Sequence, residues 1–280
     1  MTLTPTTLLD GLVFPEGLRW HDGRLWLSDM YAGKVLAVDL DGAVEEIAAV
    51  PGRPSGLGFL PDGTPLVVSM EDHKLLRLEP GGAVEHADLT SLVTGHINDM
   101  LVTPSGRAYV GNFGFDFLGG EDPKPANVVV VEPDGSAQVA ADGLMFPNGM
   151  ALADGGATLL VAEMLGGKVT AFAVAADGTL TDARTWAELP ERTPDGIALD
   201  ADGNLWIASS LSAEALLVAP GGEVLELLST APRLAPACAL GGPDGDTLFL
   251  ALAETSPEQL AQGISKGQID TVSVAVAAAA

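Results

Sequence analysis

A short motif recurs six times along this 280-residue chain, and it limits the possible folds more than any other feature of the sequence. Each copy begins with a turn-like triplet such as Pro54-Ser55-Gly56, followed by an apolar strand, a glycine-containing turn and a second apolar strand. A repeat of about 40–50 residues that holds several short strands is typical of a β-propeller. The intervals here are 39 to 50 residues, since the six triplets are centred on Glu16, Ser55, Asn98, Asn148, Asp195 and Ala237.

Most copies continue with two further strands, which gives four strands per unit. In the first copy these are residues 34–38 and 44–47, on either side of the turn Asp41-Gly42. Asp-Gly and Gly-Gly pairs supply the positive φ angles that tight hairpins need. No long apolar stripe with the helical period of 3.6 residues is present, so few helices are expected.

The two chain ends complete the last unit. The sixth copy has three strands of its own, of which the last is expected at residues 269–276. We expect residues 6–10 to supply its fourth strand, because joining the chain ends in one sheet removes a free edge. A solenoid would instead need atypical capping repeats at both ends, and none is found. The sequence therefore predicts an all-β, six-bladed propeller with four-stranded blades, formed by residues 1–280 as a single domain.

The charge and the cysteine content narrow the choice of partner and compartment. With 38 acidic and 13 basic residues, the formal net charge is −25, which disfavours binding to nucleic acid or to an anionic membrane. Cys238 is the only cysteine, so no intramolecular disulfide can form and a reducing compartment is favoured. The N-terminus does not resemble a signal peptide, and no run of about 20 apolar residues could span a membrane. We therefore expect a cytoplasmic protein that binds a small molecule; the sequence does not indicate its oligomeric state.

The middle residue of each triplet begins the innermost strand of its blade, so the six side chains should surround the propeller axis. This position varies and is mostly polar. Asn, Asp, Pro and Gly also form turns, so each of these residues taken alone has a purely structural explanation. Four oxygen-bearing side chains at one position of a ring instead predict a site for a hard divalent cation, without Cys or His. These four are Glu16, Asn98, Asn148 and Asp195.

The chain resembles the SMP-30/gluconolactonase/luciferin-regenerating-enzyme family over essentially its whole length. Four segments, in the order in which they occur, carry this resemblance. They are Pro15-Glu16-Gly17, Asn98-Asp99, Pro147-Asn148-Gly149 and Pro194-Asp195-Gly196. The resemblance implies a six-bladed propeller with one divalent metal on the axis. It implies that Glu16, Asn148 and Asp195 bind this metal, that Asn98 contacts substrate or a metal-bound water, and that Asp195 also transfers a proton.

The chain departs from the pattern of the sugar lactonases in that family at one position. There an Arg precedes the Asn by two residues, whereas this chain has His96 before Asn98. A neutral imidazole offers one donor and one acceptor, whereas Arg offers five donors and a permanent charge. A second substrate contact of the family, an acidic residue on the same blade, corresponds to Asp116. Together with the aromatic loop at residues 112–127, His96 predicts a less polar substrate than an aldonolactone.

These observations favour hydrolysis of a lactone or a related ester by a metal-activated water. Calcium is the expected cation, with magnesium, manganese and zinc as alternatives. Asp195 or Asp99 would transfer the proton, and His96, Asn98 and Asp116 would contact the substrate. Two alternatives remain open: hydrolysis of phosphotriester-type substrates at the same site, and a non-hydrolytic biosynthetic enzyme or ligand-binding propeller.

Overall fold

Twenty-four β-strands form six separate four-stranded antiparallel sheets in the computed structural model, which describes residues 3–117, 119–260 and 262–279. In five sheets the strands follow one another in chain order, so each blade is a meander. The first strand of every sheet contacts the first strands of the two neighbouring sheets, and these contacts close a ring. The protein is therefore a six-bladed β-propeller, as the repeat predicted.

The first three blades begin at the triplets that contain Glu16, Ser55 and Asn98. Blade 1 comprises β2 (Pro15–His21), β3 (Arg24–Asp29), β4 (Lys34–Val38) and β5 (Val44–Ala49). Blade 2 comprises β6 (Pro54–Phe59), β7 (Pro65–Ser69), β8 (Lys74–Glu79) and β9 (Gly82–Asp88). Blade 3 comprises β10 (Ile97–Val102), β11 (Ala108–Asn112), β12 (Ala126–Val131) and β13 (Ala137–Leu144).

The other three blades complete the ring. Blade 4 comprises β14 (Pro147–Ala153), β15 (Thr158–Glu163), β16 (Lys168–Val174) and β17 (Leu180–Glu188). Blade 5 comprises β18 (Pro194–Leu199), β19 (Leu205–Ser209), β20 (Glu214–Val218) and β21 (Val224–Ser229). Blade 6 comprises β22 (Leu234–Gly241), β23 (Thr247–Glu254), β24 (Lys266–Ser273) and β1 (Thr6–Leu12).

Helical structure is confined to short segments in the described ranges. Two single-turn 3₁₀ segments follow β3 and β14, at Met30–Ala32 and Asp154–Gly156. The helix α1 (Pro257–Leu260) lies between β23 and β24. In the part of the chain that the structure describes, no helix is long and apolar enough to cross a membrane.

The N-terminal strand closes the ring, as predicted. β1 pairs with β24 from Thr6 opposite Thr271 to Leu12 opposite Gly267. The third strand of blade 6 ends at Ser273, three residues before the predicted end at residue 276. The chain then turns toward blade 5, where the backbone N–H of Ala279 donates to the carbonyl oxygen of Leu199.

Every innermost strand carries a one-residue bulge beside its triplet. In blade 2, for example, Pro54 pairs with Ser69 and Leu57 pairs with Val67, so β6 advances three residues while β7 advances two. A bulge re-aims the side chains near it, and it is often found beside active sites. The six bulges lie at residues 16–19, 54–57, 97–100, 147–150, 194–197 and 234–237.

The bulge of blade 6 corrects one sequence prediction. It lies before Ala237, which pairs with Ala251 and packs in an apolar cluster with Phe249. Ala237 is therefore not the residue of blade 6 that faces the axial cavity. Leu234, at the start of the same bulge, lines that cavity instead. The triplet pattern does not mark where this bulge begins, because a bulge is a mismatch in count between two paired strands.

Candidate active site

The four predicted metal ligands line one cavity on the propeller axis, with a volume of about 90 Å³. Glu16, Asn98, Asn148 and Asp195 each occupy the second position of an innermost strand, within or at the edge of its bulge. All four are buried. The equivalent residue of blade 2, Ser55, does not line the cavity but donates from Oγ to Oδ1 of Asn98 at 2.9 Å.

Burial raises the pKa of Glu16 from 4.5 to about 8, and the negative charge of Asp99 acts in the same direction. Two effects oppose this rise. The backbone N–H of Gly17 donates to Oε2 of Glu16 at 3.1 Å, and the positive charge of Arg19 favours the carboxylate. Because burial outweighs both, the ionised form of Glu16 lacks sufficient stabilisation from the protein alone.

The pKa of Asp195 is also raised well above its ordinary value. Burial is the largest cause, followed by the charges of Glu16 and Asp99, while hydrogen bonds from Ser210 and Asn148 lower it. Oδ1 of Asp195 is buried without any hydrogen-bond partner. A buried carboxylate oxygen is normally paired with a donor or bound to a cation. The cavity therefore contains two buried carboxylates that the surrounding protein does not neutralise.

This set of side chains fits a hard cation. All four ring residues offer oxygen, and the two carboxylates would supply a charge of −2 to a calcium-like ion. In the described ranges no group of three or more His, Cys, Asp or Glu side chains is arranged to hold a metal. A cation on the axis would therefore also need amide oxygens, from Asn148 and, directly or through a water, from Asn98. Nδ2 of Asn148 points to Sδ of Met164, at 4.0 Å, which leaves its Oδ1 available.

Asp99, the second predicted proton carrier, is buried outside this cavity. Its Oδ1 forms an ion pair with Nη2 of Arg19 at 2.8 Å and accepts the backbone N–H of Met100 at 2.8 Å. Arg19 also donates to the carbonyl oxygen of Leu18 at 2.7 Å. The pair joins blade 1 to blade 3 across the axis. A proton-transfer function of Asp99 remains a prediction.

The two other predicted substrate contacts, His96 and Asp116, do not line the cavity. His96 is half-buried, and its ring lies 5.8 Å from that of His73 and 6.0 Å from that of Phe113. Asp116 is exposed, and its Oδ1 accepts the backbone N–H of Gly119 at 2.8 Å. Their contact with substrate stays a prediction; the structure brings together the metal-ligand set but not these two residues.

A second ring of cavity residues was not found from the sequence. In five blades it is the residue that directly follows the second strand. Its backbone N–H donates to the carbonyl oxygen of the residue before the innermost strand, as from Met30 to Phe14 and from Met164 to Phe146, both at 3.0 Å. A sequence signal existed, because this position is apolar in four blades. The five residues are Met30, Met70, Phe113, Met164 and Ser210.

The remaining wall of the cavity is aromatic and aliphatic. The rings of Phe113 and Phe146 stack with centroids 4.4 Å apart, and the ring of Phe117 meets Phe146 edge-on at 5.4 Å. Phe115 packs behind this wall without lining the cavity. The aromatic loop therefore covers one side of the site, as its composition suggested. The further wall residues are Phe14, Tyr31, Leu211, Leu234 and Leu260.

Comparisons with known proteins agree with the propeller fold. A family model described as the SMP-30/Gluconolactonase/LRE-like region matches residues 14–254. The chain is 24% identical over 243 residues to a pentonolactonase of Haloferax volcanii, covering 85% of this chain and 81% of the relative. It is 27% identical over 253 residues to a 6-deoxy-6-sulfogluconolactonase of Pseudomonas putida, covering 85% and 82%. Among solved structures, a luciferin-regenerating enzyme has the same fold, with a TM-score of 0.85, 16% identity and coverage of 99% and 98%.

Proposed function

Since this chain belongs to the SMP-30/gluconolactonase/LRE-like family, we propose that it is a hydrolase that opens lactones or closely related esters with one bound divalent cation. One observation carries the proposal. Two buried carboxylates and two amides meet in a single axial cavity, and Oδ1 of Asp195 has no hydrogen-bond partner there. The named lactonases among its relatives support the reaction class.

We assign the cation to Glu16, Asn148 and Asp195, with Asn98 bound to it directly or through a water. Calcium suits a set of carboxylate and amide oxygens, and magnesium, manganese and zinc are the alternatives. When bound, the cation would polarise the substrate carbonyl and stabilise the negative charge that develops on its oxygen. Binding of the cation would also neutralise Glu16 and Asp195, whose ionised forms are disfavoured by burial.

The side chains of this chain then position the substrate and move the proton. Asp195 accepts a proton as water attacks the carbonyl carbon, since its buried carboxylate lines the cavity beside the proposed cation site. The same proton passes to the ring oxygen when the carbon–oxygen bond breaks, which leaves a hydroxy acid. Ser55 donates to Oδ1 of Asn98 and thereby restrains the rotation of that amide beside the proposed cation site. The apolar wall limits the access of further water to the site.

A panel of lactones and esters, assayed with added calcium and again after chelation, tests this function. We expect lactone hydrolysis that disappears with the chelator and returns with calcium. Asp195→Asn should lower kcat by about 100-fold or more, because the proton acceptor is lost. The control is Asp270→Asn, since Asp270 is similarly buried but lies in β24 and bonds to Thr7 and Gln268.

Two outcomes would contradict the proposal. One is full activity after chelation in a protein that elemental analysis finds free of metal. The other is faster hydrolysis of a phosphotriester such as paraoxon than of every lactone in the panel, which would favour the phosphotriester alternative at the same site.

A further inference from the structure

We propose that the axial cavity selects lactones or esters that carry an apolar substituent, such as an alkyl chain, over polyhydroxylated sugar lactones; this rests on the proposed function. Sixteen residues line the axial cavity. Five of them have a carboxylate, an amide or an aliphatic hydroxyl group. Four of these five are the proposed cation ligands, and the fifth, Ser210, hydrogen-bonds to Asp195. The polar groups thus serve the reacting carbonyl.

The other eleven residues form an apolar wall. The residues that follow the second strand are Met30, Met70, Phe113 and Met164 in the first four blades, and all four are buried. Among the described wall residues only Tyr31 carries a polar group, and Arg53 covers its ring at 4.5 Å. None of the described lining residues is Arg, Lys or His.

A sugar lactone would place its hydroxyl groups against this wall. A hydroxyl that leaves water without finding a hydrogen-bond partner loses affinity, typically by about tenfold or more. An alkyl substituent in the same position gains affinity from the removal of its surface from water. Methionine adds to this preference, because its flexible thioether adapts to apolar groups of different shapes.

The backbone is strained where it builds the wall. Phe146 has a φ of +60°, in the left-handed region that aromatic residues rarely adopt. In this conformation its ring stacks on Phe113 and meets Phe117, and its carbonyl oxygen accepts the N–H of Met164. A strained residue that completes an apolar surface beside the cation ligand Asn148 supports a function in binding.

The test compares two six-membered lactones, δ-decalactone and D-glucono-δ-lactone, with the calcium-loaded full-length protein. We expect kcat/KM to be at least about tenfold higher for δ-decalactone. An equal or higher value for the sugar lactone would overturn this inference and leave the proposed function in place. If neither lactone is hydrolysed, the proposed function fails, and the binding of stable analogues decides the inference. Calorimetric binding of the pentyl-substituted δ-lactam, but not of gluconolactam, would support it; equal binding or none would overturn it.

Two matched variants locate the selectivity. Met30→Gln places an amide of similar size in the wall and should lower the ratio of the two kcat/KM values about fivefold to tenfold. Met150→Gln makes the same change at a similarly buried residue that does not line the cavity, and should leave the ratio unchanged. A ratio is used because a general loss of stability would lower both values together. An unchanged ratio in Met30→Gln would contradict the proposed selection by this ring.

Discussion

At the scale of single residues, the central feature is a pair of buried carboxylates, Glu16 and Asp195. When both are ionised, their negative charges destabilise the fold. Burial raises the pKa of both; the charge of Asp99 also raises both, and the charge of Glu16 raises that of Asp195. Arg19, whose positive charge acts on Glu16, is already paired with Asp99. A protein that holds such a pair loses stability unless protons or a metal neutralise it.

This predicts that the metal-free protein becomes less stable as the pH rises. Glu16 has a pKa of about 8 in the folded protein and 4.5 without its environment, so between these values the folded state keeps a proton that the unfolded chain releases. The stabilisation is complete below the lower value and lost as the pH passes the upper one. Asp195 acts in the same direction. Calcium should therefore raise the Tm more at pH 8 than at pH 5.5.

The measurement is calorimetric unfolding at both pH values, with chelator and with calcium. Glu16→Gln is the control, because it removes this titration and should reduce both the pH dependence and the gain from calcium. Equal calcium gains at the two pH values in the wild-type protein would show that Glu16 does not hold the cation as proposed.

The sequence identified some of these residues and missed others for a physical reason. Glu16, Asn98, Asn148 and Asp195 stand out because a repeated position carries polar residues where packing alone would favour one residue type. Met30 and its equivalents are apolar in four blades, but they directly follow an apolar strand, so the pattern alone does not show that they turn toward the axis. The orientation of His96 depends in the same way on its contacts with Phe113 and His73.

At the scale of elements, the bulged innermost strands decide where the ring residues point. The hairpin turns and the strand repeat were predictable, because they depend on local residues such as Asp-Gly pairs. The bulges were not predictable, since a bulge forms where one strand has one residue more than the strand it pairs with. This difference is visible only when the register of the pairing is known. Ala237 shows the consequence, because the sequence placed it at the axial cavity, whereas it packs in an apolar cluster and Leu234 lines the cavity.

The third residue of the triplet is under a packing constraint that can be tested. A Cβ on Gly149 would overlap the carbonyl oxygen of Asp195, because β14 and β18 approach closely at this point. Gly149→Ala should therefore lower the free energy of unfolding by about 1–3 kcal/mol and, by displacing Asp195, weaken calcium binding. Chemical denaturation and calcium titration measure the two effects.

The control for this prediction is Gly81→Ala, on the turn between β8 and β9. A Cβ there meets no atom within 4 Å, and the backbone conformation is not in the left-handed region. We expect no loss of stability or of calcium affinity. A Gly149→Ala variant with wild-type stability would mean that the two inner strands separate more easily than their contact suggests.

At the scale of the whole molecule, the closure of the ring and the net charge act on every blade. The pairing of β1 with β24 removes a free strand edge and was predictable from counting strands. The net charge of −25 can be read from the sequence, whereas the pairing of these charges is known only from the structure. Ten of the 13 basic residues form ion pairs in the described structure, so most acidic residues have no partner of opposite charge.

This excess of unpaired negative charge predicts that the Tm rises with salt concentration. Self-repulsion of a net charge destabilises a compact state, and the screening length falls from about 30 Å at 0.01 M to about 8 Å at 0.15 M ionic strength. Salt also weakens the ion pairs, but exposed pairs contribute about 0–1 kcal/mol each, so the repulsion should dominate. Unfolding is followed in sodium chloride with calcium in excess, so that cation binding stays constant. Neutralising the exposed acids in an Asp142→Asn, Glu223→Gln double variant should reduce the rise, and a Tm that falls with salt would show that the ion pairs outweigh the repulsion.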